Sequence, residues 1–342
     1  MGQIRILEHF SFISEKGETS LPSKEEIDQL GETNQEHFVL VLDSSVCLEI
    51  INLVNYKSSA RVDKEKIFNL MEYVQTNNIE QISMFALIEL CYDRQTLEIN
   101  EEKFWEFKNK LDFAFSYRIK LFRRLKYDYN TEYQINRWPQ LKITSIKPLA
   151  NQLNISYVGL LKMREIATAQ GLSKQTAEKN ITQFIDWMTY NLDFMIGTEY
   201  SLAIQIFGGN SEFRTMIKLD SSKEKTLKAL LGSAWDLFHA RASRNKSKLT
   251  QIIGKPVSPI FVTKDKRLFD LLSPIVILQA EFNSTKFSLT HENLTPPHYS
   301  DSFMNALNIE MMTRTKERFH NRKEPDMVRI KTMIKELENN LT

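Results

Sequence analysis

Four acidic residues in this chain stand beside apolar runs, where a carboxylate is costly unless it is paired or bound to metal. Asp43 ends the run Phe38-Val-Leu-Val-Leu42, and Glu89 interrupts Met84-Phe-Ala-Leu-Ile-Glu-Leu90. Asp236 lies in Leu231-Gly-Ser-Ala-Trp-Asp-Leu-Phe-His-Ala240, and Asp265 follows Pro259-Ile-Phe-Val-Thr263. Carboxylates suit hard divalent cations such as Mg²⁺ and Mn²⁺. Three or four of them on separate elements can hold one or two ions and leave positions for water and a phosphodiester. Such an ion lowers the pKa of an attacking water and neutralises phosphate charge. Ser44 and Thr263 stand beside two of the acids and could orient a carboxylate or a metal-bound water.

The elements that must position these groups follow from hydrophobic patterning. Phe38–Leu42 is a short continuous apolar run, expected as a buried parallel strand. Residues 44–56 and 63–77 carry apolar side chains at helical spacing, and Ile79–Met84 reads as a second strand, with Glu89 on the helix after it. From about residue 100 to 230 the pattern is helical throughout, beginning with one long helix over residues 101–129 and including segments near 146–170 and 173–207. Gly208-Gly209 is a plausible stop for the latter. Strands return at Pro259–Thr263 and Pro274–Gln279. Residues 1–37 are expected to be an irregular lead-in, and residues 286–342 a polar tail, helical from about Phe303. Strand–helix alternation at both ends of a helical block predicts a parallel α/β core with a helical insertion. Asp43 and Asp265 then fall just past the carboxyl ends of strands, where open α/β sheets place ligands.

Each acid also has a structural explanation. Asp43 and Asp265 could cap the helices that follow them. Asp236 sits three residues after Ser233, the capping-box spacing, with Gly232-Ser233 as a helix start. Glu89 could lie on the polar stripe of an amphipathic helix, with Asp93 one turn on. His239, three residues beyond Asp236, is expected at an exposed helix position.

The order of these motifs resembles that of PIN-domain nucleases: a strand ending in Asp43-Ser44-Ser45, a helical Glu89, a Ser-Ala-x-Asp-x-x-x-Ala helix from Ser233 to Ala240, and Thr263-x-Asp265-x-x-Leu268 after a strand. The resemblance implies a three-layer α/β/α core with a central parallel sheet over residues 38–99 and 225–285, carrying a large helical insertion over residues 100–224. It also implies that Asp43, Glu89, Asp236 and Asp265 bind Mg²⁺ or Mn²⁺ and that the chain cleaves nucleic acid, RNA before DNA. The separation of Glu89 from Asp236 is far longer than in compact members of that family. Two other readings are a catalytically silent PIN-like binding module and a DNA-cleaving nuclease of a bacterial toxin or anti-phage system.

Composition narrows the setting. The 342 residues include 45 basic and 43 acidic side chains, so the net charge of +2 requires any nucleic-acid surface to be local. The densest basic stretch holds Arg118, Lys120, Arg123, Arg124 and Lys126, followed by Tyr127, Tyr129, Tyr133 and Trp138, a mixture suited to phosphates and stacked bases. Lys264, Lys266 and Arg267 surround Asp265, and a second cluster over residues 314–323 reads as a mobile arm that could touch nucleic acid. The insertion or the tail could also recruit an inhibitory or scaffold protein. Cys47 and Cys91 lie in apolar segments and read as core residues of a reducing compartment. With no signal-like leader and no run long enough to span a bilayer, the expected location is cytoplasmic, with no membrane partner.

Overall fold

The computed structural model describes residues 9–55, 63–93, 98–124, 147–282, 285–292, 296–320 and 325–341. Two compact units emerge, Met1–Ile146 with His239–Ile277, and Lys147–Phe238 with Leu278–Thr342. The fold is α/β.

The first unit is built on a five-stranded sheet of β1 (Ser11–Ser14), β2 (Gly17–Glu18), β3 (His37–Leu42), β4 (Glu80–Ile82) and β5 (Val257–Thr263), in the order β2-β1-β5-β3-β4. The apolar run before Asp43 forms β3, whose Val39 to Leu42 are buried, and β5 runs parallel to it with Leu42 opposite Val262. β4 is parallel on the other side of β3, whereas β1 is antiparallel to β5. The sheet is therefore mixed rather than parallel throughout. β3 sits between strands reached by different routes, so its carboxyl end and that of β5 border the crevice where open sheets bind ligands.

Residues 11–34, expected to be irregular, are ordered instead. Phe10, Phe12 and Ile13 are buried, which commits β1 to the sheet edge beside β5. The β1–β2 turn needs Gly17, at φ +96°, because an added Cβ would stand 2.2 Å from the Ser273 carbonyl oxygen. Helix Lys24–Asn34 starts at a reciprocal capping box between Ser23 and Glu26.

The expected helix over 101–129 is also divided. Helix Glu101–Ser116 ends where Tyr117 turns extended, and a short helix, Ile119–Arg123, follows. The Tyr117 ring stacks on Phe113 at 4.7 Å, and its carbonyl accepts a 2.8 Å hydrogen bond from the Gln75 side chain, which fixes the break. Helix Glu101–Ser116 packs on helices Ser44–Val54 and Met84–Cys91, so residues expected to begin an insertion belong to the first unit. Arg244 is 2% exposed and holds this unit together through backbone carbonyls: its guanidinium donates to Ser14 (2.8 Å), Glu15 (3.3 Å), Leu272 (3.5 Å) and, more closely, Ile275. One charged side chain thereby satisfies acceptors at the end of β1, the end of helix Lys266–Leu272 and the start of β6 (Ile275–Phe282).

The second unit is mainly helical. Helices Lys147–Gln170, Lys174–Asp186 and Gly197–Phe207 pack on one another, and helix Met327–Asn339 packs along the first of them, with Tyr157 donating to Glu338 at 2.8 Å. Gly208 ends helix Gly197–Phe207, as its sequence suggests, and Gly209, at φ +100°, lets the His298 ring approach. β6 pairs with β7 (Thr285–Glu292) in a separate two-stranded sheet and does not extend the parallel core. The expected basic arm lies in helix Asp301–His320 up to residue 320, and residues 321–323 fall outside the described ones. Its Arg314 donates to Asp186 (2.9 Å) and Thr189 (2.8 Å), and Arg318 pairs with Asp193. These arginines fasten a π-helical turn, Trp187–Leu192, and are not displayed on an arm. No helix among the described residues is long and apolar enough to cross a membrane.

Candidate functional site

The local chemistry centres on Asp43, the N-cap between β3 and helix Ser44–Val54. Its amide continues the sheet ladder to Val262 at 2.9 Å, which carries the residue to the end of β5. The carboxylate is almost fully enclosed. Oδ1 accepts the Ser44 amide at 2.8 Å, while Oδ2 accepts the Ser45 hydroxyl at 2.7 Å and the Thr263 hydroxyl at 2.8 Å. Thr263 Oγ1 in turn accepts the Asp265 amide at 3.0 Å, so one hydroxyl links the ends of both strands. Thr263 plays the orienting part expected of it. The second hydroxyl comes from Ser45, with Ser44 contributing its backbone instead.

His239 contradicts its expected exposure. It is 1% exposed, and its Nδ1 lies 3.6 Å from Asp43 Oδ1 and 3.6 Å from Glu89 Oε2. Glu89 sits at the partly exposed edge of helix Met84–Cys91, whose Phe85 to Ile88 are buried. Two carboxylates from different elements therefore converge on one imidazole nitrogen. Burial works against the Asp43 anion, but His239 and the Ser45 and Thr263 hydroxyls outweigh it and lower its pKa. Burial likewise opposes a charged His239, yet Asp43, Glu89 and the Phe85 backbone raise its pKa. The buried Cys47 thiol registers the same pair: burial, then Asp43 and Glu89, push its pKa well up.

Asp265 takes the capping role. Its Oδ1 accepts the Arg267 and Leu268 amides at 2.8 and 3.1 Å, and its Oδ2 accepts from the Arg267 guanidinium at 3.1 Å. Asp236 opens no helix. Gly232 and Ser233 lie inside the continuous helix Lys223–Ser243, where Ser233 donates to the Met216 carbonyl, and Asp236 lies one turn ahead of His239. The structure thus joins Asp43 to Glu89 through His239, and Asp43 to Asp265 through Thr263. Asp236 falls in the second unit. Among the described residues, no group of three or more His, Cys, Asp and Glu side chains is placed to hold a metal ion.

The basic residues near these acids are largely engaged. Lys264 pairs with the buried Glu49, which also contacts His9 at 3.1 Å. Lys266 pairs with Asp270 at 2.9 Å, and Arg123 binds Glu65, Asn69 and Glu72 at 2.8–2.9 Å. Arg118, Lys120 and Arg124 are exposed; Lys126 and the aromatics after it lie outside the described residues.

His239 and Ser45 are the site residues that sequence reasoning passed over. A signal existed for each: Ser45 follows a capping Asp at the second helical position, and His239 is embedded in Leu237-Phe238-His239-Ala240, an apolar setting that argues for burial. No family model, curated protein or solved structure is significantly similar to the chain.

Proposed function

We propose that the first unit is a PIN-like, divalent-metal-dependent nuclease core that hydrolyses phosphodiester bonds, with RNA the favoured substrate. The observation that carries this reading is the convergence of Asp43 and Glu89 on His239 Nδ1, at the carboxyl end of β3 beside that of β5. Mg²⁺ commonly takes one or two carboxylates and fills its remaining positions with water and substrate phosphate, so this pair suits it without a closed triad. Asp43 and Glu89 would hold the ion, with Asp236 and Asp265 as further acids of the expected quartet. When bound, the ion would activate water and neutralise charge on the scissile phosphate. Ser45 and Thr263 fix the Asp43 carboxylate and keep it ionised, and Thr263 ties that geometry to β5.

The test is cleavage of labelled single-stranded RNA and DNA with Mn²⁺ by the full chain and by Asp43→Asn and Glu89→Gln. Undiminished activity in both variants would sink the assignment, and preferential DNA cleavage would change the substrate. A second reading, a catalytically silent PIN-like module, draws support from the engagement of both Asp265 oxygens and from the internal cation that His239 offers the acid pair. Calorimetric Mn²⁺ titration separates the two, because a silent module shows no Asp43-dependent uptake.

A further inference from the structure

We infer that His239 is a third donor of this centre, making it an imidazole-containing site that prefers Mn²⁺ to Mg²⁺. The inference rests on the proposed role of Asp43 and Glu89 as metal ligands. Both measured separations, 3.6 Å from Nδ1 to Asp43 Oδ1 and to Glu89 Oε2, exceed the usual N–H···O range of roughly 2.7–3.2 Å. Two donors about 2.1 Å from a shared ion stand roughly 3.0–3.5 Å apart at octahedral to tetrahedral angles. The observed spacing lies close to that arrangement.

The donors come from three elements: the β3 end, helix Met84–Cys91 and helix Lys223–Ser243. His239 is anchored by burial, as is Asp43, whereas the Glu89 side chain retains 21% exposure. Glu89 is thus the group that can swing to close the trio. Imidazole is a poor partner for Mg²⁺ and Ca²⁺, whereas transition ions accept mixed nitrogen and oxygen donors. A centre of two carboxylates and one imidazole therefore discriminates between Mn²⁺ and Mg²⁺ in a way that a purely acidic site does not.

The experiment uses the full-length chain, Mn²⁺ and Mg²⁺ as the sole probes, calorimetry for affinity and pulsed electron paramagnetic resonance for nitrogen bound to Mn²⁺. The expected results are a preference of about tenfold or more for Mn²⁺, a directly coordinated nitrogen in the wild-type protein, and loss of that signal in His239→Gln. The same substitution lowers Mn²⁺ affinity roughly 10- to 100-fold, with Mg²⁺ affinity far less affected. Asp43-dependent Mn²⁺ binding without coordinated nitrogen in the wild type overturns the donor role and leaves the carboxylate centre standing. This result needs no variant of His239 to fold. A nitrogen signal that survives in folded His239→Gln also overturns it. Absence of any Asp43-dependent binding removes both the inference and the metal-dependent function beneath it.

Discussion

The ends of β3 and β5 are written in nearly the same sequence grammar, an apolar strand followed by an aspartate that caps a helix, yet their carboxylates meet different fates. Asp43 is enclosed, held by two hydroxyls and one amide, and faces an imidazole shared with Glu89. Asp265 is partly exposed, and its oxygens are taken by two amides and Arg267. The distinction lies in position within the sheet. β3 has parallel neighbours on both sides, while β5 meets the antiparallel β1 on its outer side. Capping is thus compatible with a functional role in one aspartate and consumes the other.

The strongest way to break this contrast is a matched pair of substitutions. Asp43→Asn is expected to lower Mn²⁺-dependent RNA cleavage about 1,000-fold or more, the equivalent of roughly 4 kcal/mol of lost transition-state stabilisation. Asp265→Asn, which keeps a capping oxygen, is expected to stay within about tenfold of wild type. Equal losses in the two would erase the distinction drawn between the strand ends.

The scaffold beneath the β5 end offers a second test. Arg244→Met removes the donor that several buried carbonyls share and is expected to cost about 3 kcal/mol in urea unfolding. A cost below about 0.5 kcal/mol would show that water or relaxation replaces it. Thr263→Val tests the link between the two ends. Loss of the buried hydroxyl is expected to destabilise the chain by about 1–2 kcal/mol and to raise the Asp43 pKa. Because that pKa is depressed in the folded state, Asp43 adds stability above its unfolded pKa, and the contribution is lost as pH falls through the folded value. In Thr263→Val the Asp43-dependent gain should be smaller and should disappear at higher pH, as followed by denaturation at a series of acidic pH values. The smallest effect is expected from Asp265→Ala, about 1 kcal/mol for a lost helix cap, measured by thermal unfolding.

What the sequence disclosed was local. The runs before Asp43 and Asp265 announced buried strands, the α/β class followed from their alternation with helices, and the capping explanations of both aspartates hold. What it concealed depended on partners distant in the chain. Ser11–Ser14 carries too short a pattern to declare itself a strand, and it becomes one because β5 offers an edge some 250 residues away. Ile275–Phe282 has strand character but pairs with Thr285–Glu292, a choice that no periodicity specifies. Gly232 resembles a helix start, yet the helix runs through it, since one glycine costs only about 1 kcal/mol. Whether a helical histidine faces water or carboxylates is decided by packing, which is why His239 escaped notice while the acids around it did not.

The hydrogen bond from Thr263 to Asp43 spans 220 positions, and this has a kinetic meaning. During synthesis, β3 and β4 can pair as soon as they emerge, but one edge of β3 stays open until β5 leaves the ribosome. Such long-range pairing is slow to form and exposes strand edges to aggregation in the meantime. The same delay leaves Asp43 without Thr263, and without His239 until shortly before, so any chain interrupted upstream of β5 lacks the assembled site. A potentially toxic activity would thus be withheld from incomplete chains by topology alone.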